Sequence, residues 1–295
     1  MAAFKKQVWV SATRTDAKVC VICGRRWCTI TADGKAVKCM HVESRQPVAS
    51  GGWIHDLADA LPVPKPREPK KLKDVSGVAM KMFRDKLAPA KREKLSATLG
   101  VSHLSLWSLR VGIGWDWDGR EFASFPSRDA AGKIVGITWR YDDAEKKTMA
   151  GTSNSGVFAP ERWWMALGPV LIVEGASDVA ALVTHHFCAL GRPSNIGGAD
   201  VLRGYIKRRA AGRGCIVLGE NDCKPERRGK FPQCPLSCRG CSACFPGLYG
   251  AKKVAWQLGV RYAMLPVAYK DVRAWANADV DFRASFTAWI SKVTT

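Results

Sequence analysis

The spacing of hydrophobic positions changes along the chain, and each change predicts a different kind of element. Residues 75 to 110 read as helices, VAMKMFRDKL and then KREKLSATLG, with Gly100 as a helix stop. From residue 121 the period falls to two, and EFASFPSRDAAGKIVGITWRYD predicts a strand, a DAAG turn and a second strand. A polar loop, AEKKTMAGTSNSGVFAP, and a helical WWMAL follow. From Val170 the order becomes strand, helix, short strand up to Asn195, a helix in ADVLRGYIKRRAA, a strand in CIVLGEND, a helix in AKKVAWQLG and a strand in RYAMLP. That alternation predicts a largely parallel sheet with helices on its faces, so the fold class is α/β, and sites in such sheets gather at the carboxyl ends of strands. In the final segment Phe282, Phe286, Trp289 and Ile290 share one helical side, which predicts packing on the chain's own core.

Domain boundaries come from composition. Residues 1–60 carry short-strand patterns and four cysteines, and LPVPKPREPKKLKD, residues 61–74, is too rich in proline for a helix. Extended at about 3.1 Å per residue, that linker could separate two units by roughly 40 Å. A basic α+β subdomain over 75–167, a parallel-sheet domain over 168–278 and a C-terminal helix over 279–295 complete the expected organisation. Residues 61–100 hold eleven Lys or Arg against four Asp or Glu, which fits a phosphate-facing surface and equally a solvated helix face.

Charge sharpens the picture. A formal net charge of +20 on 295 residues attracts polyanions, with nucleic acid as the expected partner. No apolar run is long enough to span a membrane, and MAAFKKQVWVSATRTD lacks the apolar core of a signal peptide, so an intracellular, cytoplasmic protein without membrane contact is expected.

In such a compartment clustered cysteines mean metal more often than disulfides. Cys20 and Cys23 form a C-x2-C knuckle, and a hairpin turning at Ala32-Asp33-Gly34 would bring Cys39 and His41 beside it. Three thiolates and an imidazole in a closed set predict structural zinc, with Cys28 or His55 able to replace His41. A second group, Cys223, Cys234, Cys238, Cys241 and Cys244, lies in a basic insertion over residues 223–249. Four of these five would order the loop by binding a second zinc, with an iron–sulfur cluster as the alternative.

The strand VLIVE ends on Glu174, and Asp178 follows one helical turn later, in the first turn if Ser177 caps the helix. CIVLG leads into Glu220 and Asp222, which alternation places on one side. Four carboxylates on one rim repel unless a hard cation sits among them, which suits Mg²⁺ or Mn²⁺ and phosphoryl-transfer chemistry.

VLIVEGASD resembles the first motif of TOPRIM domains, and VLGEND their second, over about residues 168–275. FASFPSRDAAGKIVGITWR, the KK pair and NSGVF resemble the basic subdomain that precedes TOPRIM in bacterial and phage DNA primases, and YKDVRAW resembles their later Lys-Asp motif. The resemblance implies a zinc-ribbon domain ahead of an RNA-polymerase core that makes short RNA primers on single-stranded DNA. It assigns Glu174, Asp178, Glu220, Asp222 and Asp271 as catalytic, with Glu174, Glu220 and Asp222 as metal ligands. Arg140, Lys146, Lys147, Asn154 and Lys270 would hold template or ribonucleoside triphosphate. Two departures stand out: Glu220-Asn221-Asp222 replaces the usual Asp-x-Asp, and Val272-Arg273 stand where another acid is common. No G-x-x-x-x-G-K-[ST] motif occurs, so a replicative helicase would be a separate partner. A non-catalytic mediator resembling RecR and a TOPRIM-type nuclease are the alternatives. A type I topoisomerase is disfavoured by the short stretch after the TOPRIM-like region.

Overall fold

The run Val170–Val173 has no polar alternation because both of its faces are covered: Leu171 and Val173 join one core, Val170 and Ile172 another. The computed structural model describes residues 9–11, 19–25, 28–48, 52–58, 73–224 and 244–294. The chain divides into two compact units, Met1–Lys71 with Gly229–Pro235, and Leu72–Arg228 with Leu236–Thr295.

In the first unit, β1 (Trp9–Ser11), β2 (Thr29–Thr31), β3 (Ala36–Cys39) and β4 (Trp53–Asp56) form one antiparallel sheet in sequence order. The β2–β3 connection is the expected hairpin, and its Gly34 has a φ of 74°, which favours glycine. Ile30, Val37 and the cysteines make the small core. Most of the proline-rich linker lies outside the described residues, which resume at Lys73.

The second unit begins with α1 (Ser76–Arg84), α2 (Ala88–Leu99) and α3 (His103–Ser108). Gly100 ends α2 at a φ of 65°, as its position predicts. Several basic residues of this stretch are spent internally. Lys91 is buried against Glu121 at 2.7 Å and Asp142 at 2.6 Å, Lys94 also pairs with Asp142, and Arg92 bonds the Val111 carbonyl. Lys91 and Arg92 are therefore not part of a phosphate-facing surface, while Lys94 stays exposed beside Asp142.

An antiparallel sheet follows: β5 (Gly112–Trp115), β6 (Glu121–Arg128), β7 (Ile134–Arg140) and β8 (Lys146–Thr148). The helical WWMAL shortens to a single 3-10 turn, Trp163–Met165. Then β9 (Val170–Glu174), α4 (Ala176–Thr184), β10 (Ala189–Arg192), α5 (Ala199–Arg209), β11 (Cys215–Gly219), α6 (Pro246–Leu258) and β12 (Arg261–Met264) build a sheet of order β10-β9-β11-β12. All its pairings are parallel, as the alternation predicts. The segment Val157–Phe158 bridges the two sheets, pairing with Arg128 on one side and Gly191 on the other. Two helices close the chain, α7 (Val272–Ala278) and α8 (Phe282–Thr294), and Phe282, Phe286 and Ile290 are buried in the core shared with β9 and β11. No helix among the described residues is long and apolar enough to cross a membrane.

Candidate active site and metal centre

Four thiols converge in the first unit. Cys20 and Cys23 lie on a knuckle closed by the Gly24 amide donating to the Cys20 carbonyl at 2.8 Å, Cys28 precedes β2, and Cys39 ends β3. Their sulfurs lie within 4.8 Å of one another, with Cys23 and Cys28 at 3.5 Å. The Met40 amide donates to the Cys28 sulfur at 3.3 Å, while the His41 and Val42 amides donate to Cys39 at 3.4 and 3.3 Å. Burial pushes the Cys20 and Cys28 thiols up, so a bound cation would displace their protons. A closed set of four soft donors fits structural zinc.

Cys28, not His41, completes this set. The turn after β3 points the His41 backbone amide at the Cys39 sulfur and leaves its ring outside the cluster. His55 is not a ligand either, because its Nε2 lies 3.0 Å from the Val42 carbonyl. Cys28→Ser is expected to remove one zinc equivalent relative to the unmodified chain, and His41→Ala none, as measured by elemental analysis after gel filtration.

Of the second cysteine group, Cys234, Cys238 and Cys241 lie outside the described residues. Its two ends are held together, since the Lys224 amide donates to the Cys244 carbonyl at 2.7 Å.

At the carboxyl ends of β9 and β11 lies a cleft of about 430 Å³. Glu174, Asp178, Glu220 and Asp271 line it. Helix α4 starts at Ala176 with Gly175 as its cap, not Ser177, because the chain turns out of β9 at a Gly175 φ of 81°. Asp178 nevertheless sits in the first turn, as the spacing requires.

Backbone amides anchor three aspartates. Asp178 accepts from the Arg273 amide at 3.0 Å, Asp271 caps α7 by accepting from Ala274 at 2.7 Å, and Asp222 accepts from Gly247 at 2.7 Å. Asp222 is turned onto the start of α6 and does not line the cleft, although its charge still reaches Glu174 and Glu220. A Cβ on Gly247 would overlap the Glu220 carbonyl, so only glycine lets α6 approach this closely. Asn221 is the clamp between these acids: its Nδ2 donates to the carbonyls of Leu265, Pro266 and Tyr269 at 2.8–3.0 Å.

Glu174 and Glu220 are left with no hydrogen-bond or ion-pair partner among the described residues. Burial, reinforced by Asp178 and Glu174, pushes Glu220 up to about 8, while burial and Asp271 push Asp178 up to about 7. Burial also raises Glu174, against the pull of Arg192. Groups in this condition release their protons to a hard cation. Among the described residues only the four cysteines bring three or more ligand atoms within 4.8 Å, so the carboxylate rim stands more open than the thiol set.

The lining of the cleft is also basic. Arg140, Lys146 and Lys147 from β7 and β8, Asn154, Lys270 and Arg273 all line it. Burial and Arg273 lower Arg140, and desolvation and Arg140 lower Lys146. Every residue expected to hold template or triphosphate thus faces the same cleft as the acids.

Sequence reasoning missed two cations here. Arg273 was visible only as an irregular residue after Lys270-Asp271. Arg192 lies directly opposite Glu174 in the β9–β10 ladder and is fully buried, bonded to the carbonyls of Asn195 and Leu218. An arginine closing the apolar strand ALGR was the one available signal.

An antiparallel sheet carrying basic residues leads into a parallel sheet with acids at its strand ends, and in fold this arrangement is similar to solved primase cores. The chain is similar to the catalytic core of the E. coli primase, with a TM-score of 0.50 and 15% identity over 74% of this chain and 78% of that one. It is also similar to the zinc-binding and RNA-polymerase domains of the Aquifex aeolicus primase, with a TM-score of 0.50 and 10% identity over 72% of this chain and 57% of that one. No family model matches the sequence, and no curated protein matches it.

Proposed function

We propose that this protein is a DNA primase, a DNA-directed RNA polymerase that makes short RNA primers on single-stranded DNA. One observation carries the proposal: acids and bases line a single cleft at the strand ends, in a primase-like fold. A pocket of about 430 Å³ is of the size that holds a small-molecule ligand such as a nucleotide.

Glu174 and Glu220, unpaired and with raised affinity for protons, fit a site for Mg²⁺ or Mn²⁺, and Asp222 would add its free oxygen from the margin. Such a cation supplies charge neutralisation on the reacting phosphate and alignment of the attack. Arg140, Lys146, Lys147 and Lys270 would hold the ribonucleoside triphosphate and template, with Asn154 as a neutral donor. Glu174 would take the proton from the attacking 3′ hydroxyl. Asp178 and Asp271, fixed by amides, would position the rim from below. The first unit, with its zinc, would read template sequence, a separate helicase would supply unwound DNA, and the enzyme would work in the cytoplasm.

De novo synthesis of labelled oligoribonucleotides on random-sequence single-stranded DNA tests this. With Mg²⁺ or Mn²⁺ the native chain is expected to make primers and Asp222→Asn to make at least about tenfold fewer, a loss of roughly 1.4 kcal/mol in transition-state stabilisation. Absence of product from the native chain with either metal, despite salt-sensitive DNA binding, would favour the mediator.

A further inference from the structure

A second pocket, of about 570 Å³, opens on the other side of the segment that bridges the two sheets: Phe158 lines the catalytic cleft, and Ala159 and Pro160 line this pocket. Its walls are the β6–β7 turn, the 3-10 turn at Trp163 and the C-terminal end of α5. Five arginines line it: Arg110 is ion-paired, Arg128 donates to the Gly132 carbonyl, and Arg128, Arg162, Arg208 and Arg209 make no ion pair among the described residues. The one carboxylate in the lining, Glu161, is already bound by Arg110. Asp129 lies close to Tyr205 in the wall but spends its Oδ1 on the amides of Ala131 and Lys133.

Two further features point to a ligand. Trp163 is only 4% exposed and its Nε1 has no hydrogen-bond partner among the described residues. Trp164 is half-buried, with the Arg209 guanidinium 4.5 Å from its ring centroid, a cationic and aromatic surface of the kind on which bases stack. Guanidiniums without ion pairs beside a half-buried indole suit the alternation of phosphate and base along a single strand better than they suit an inorganic anion, which would leave the tryptophan unused.

We propose that this pocket is a second anchoring site for single-stranded DNA, holding a backbone phosphate on Arg162, Arg208 and Arg209 and a base against Trp164. Because the cleft and the pocket adjoin along Phe158-Ala159-Pro160, one strand can occupy both. The site does not depend on the proposed chemistry and would bind DNA in a chain that made no primer.

Fluorescence anisotropy with a labelled mixed-sequence oligonucleotide, over a series of salt concentrations, reads the site directly in the full chain. Arg208→Ser/Arg209→Ser alters two exposed side chains and is expected to weaken binding about tenfold. Losing the hold on that one phosphate should also make the dependence of log K on log salt shallower by up to about 0.7, the value for one phosphate on a single strand. Trp164→Leu is expected to weaken binding on the order of tenfold without changing that slope, because stacking releases no counterions. Binding of a labelled ribonucleoside triphosphate should be unchanged in both variants. Unaltered DNA affinity and slope in stably folded variants would overturn the proposal. Loss confined to the triphosphate would overturn it in favour of a free-nucleotide site.

Discussion

Glu174→Gln is expected to lower primer synthesis by about 10³-fold, or roughly 4 kcal/mol of transition-state stabilisation, while leaving the KM for ribonucleoside triphosphate within about threefold. The substitution keeps the shape of the side chain and removes only its charge and its basicity. Glu174 ends β9 between Arg192 on the neighbouring strand and the open cleft, so the amide would fit without disturbing the ladder. The residues assigned to the triphosphate come from β7, β8 and the loop before α7, none of which Glu174 supports through a hydrogen bond. A steady-state measurement over a range of Mn²⁺ concentrations separates the outcomes. A kcat loss that excess metal fails to restore fits a carboxylate needed both to bind the cation and to take a proton. A simple shift of the metal midpoint assigns it to metal binding alone, and an unchanged kcat would remove Glu174 from the chemistry.

The architecture was legible where one physical constraint dominated the sequence. VLIV must be covered on both faces, and a parallel strand between two helical layers is the arrangement that does so. The strand-end position of Glu174 and Glu220 follows, because a carboxylate cannot extend that run into the core. The basic residues of β7 and β8 were found through resemblance; their spacing in the sequence does not by itself bring them to β9. Other features depend on three-dimensional detail that spacing does not carry. The fourth ligand could not be chosen between Cys28 and His41 by counting residues, since the choice turns on how the chain leaves β3. Asn221 reads as a spacer between two acids, yet its three carbonyl contacts tie β11 to the loop after β12. Lys91 and Arg92 look like surface charge because their acceptors, at Glu121, Asp142 and Val111, lie far along the chain.

In the absence of divalent metal, the second unit is expected to lose stability as pH rises from about 5 to 8. Glu220 and Asp178 carry the effect. In the unfolded chain these groups ionise near their ordinary values of 4.5 and 3.8, whereas the folded cleft holds them up to about 8 and about 7. Below the unfolded values both states are protonated and the groups contribute nothing. Between the unfolded and folded values the native state binds more protons than the unfolded one, so stability falls with rising pH, by up to about 1.4 kcal/mol per pH unit per group. Above about 8 the penalty is complete and the curve levels. At that slope the two groups bound the loss between pH 5 and 8 at about 7 kcal/mol, and since each kcal/mol moves Tm by roughly 2–4 °C for a unit of this size, the expected fall is at least about 5 °C and at most roughly 25 °C in chelator-treated buffer with zinc retained. Mg²⁺ or Mn²⁺ binds the ionised carboxylates and stabilises by mass action, so millimolar metal should flatten the curve by raising its alkaline end. Glu220→Gln should flatten it as well, without metal, by leaving nothing to ionise at that position. A metal-free Tm that rises over this range, or one that metal leaves unchanged at pH 8, would show that these carboxylates are not the strained cation site that the cleft requires.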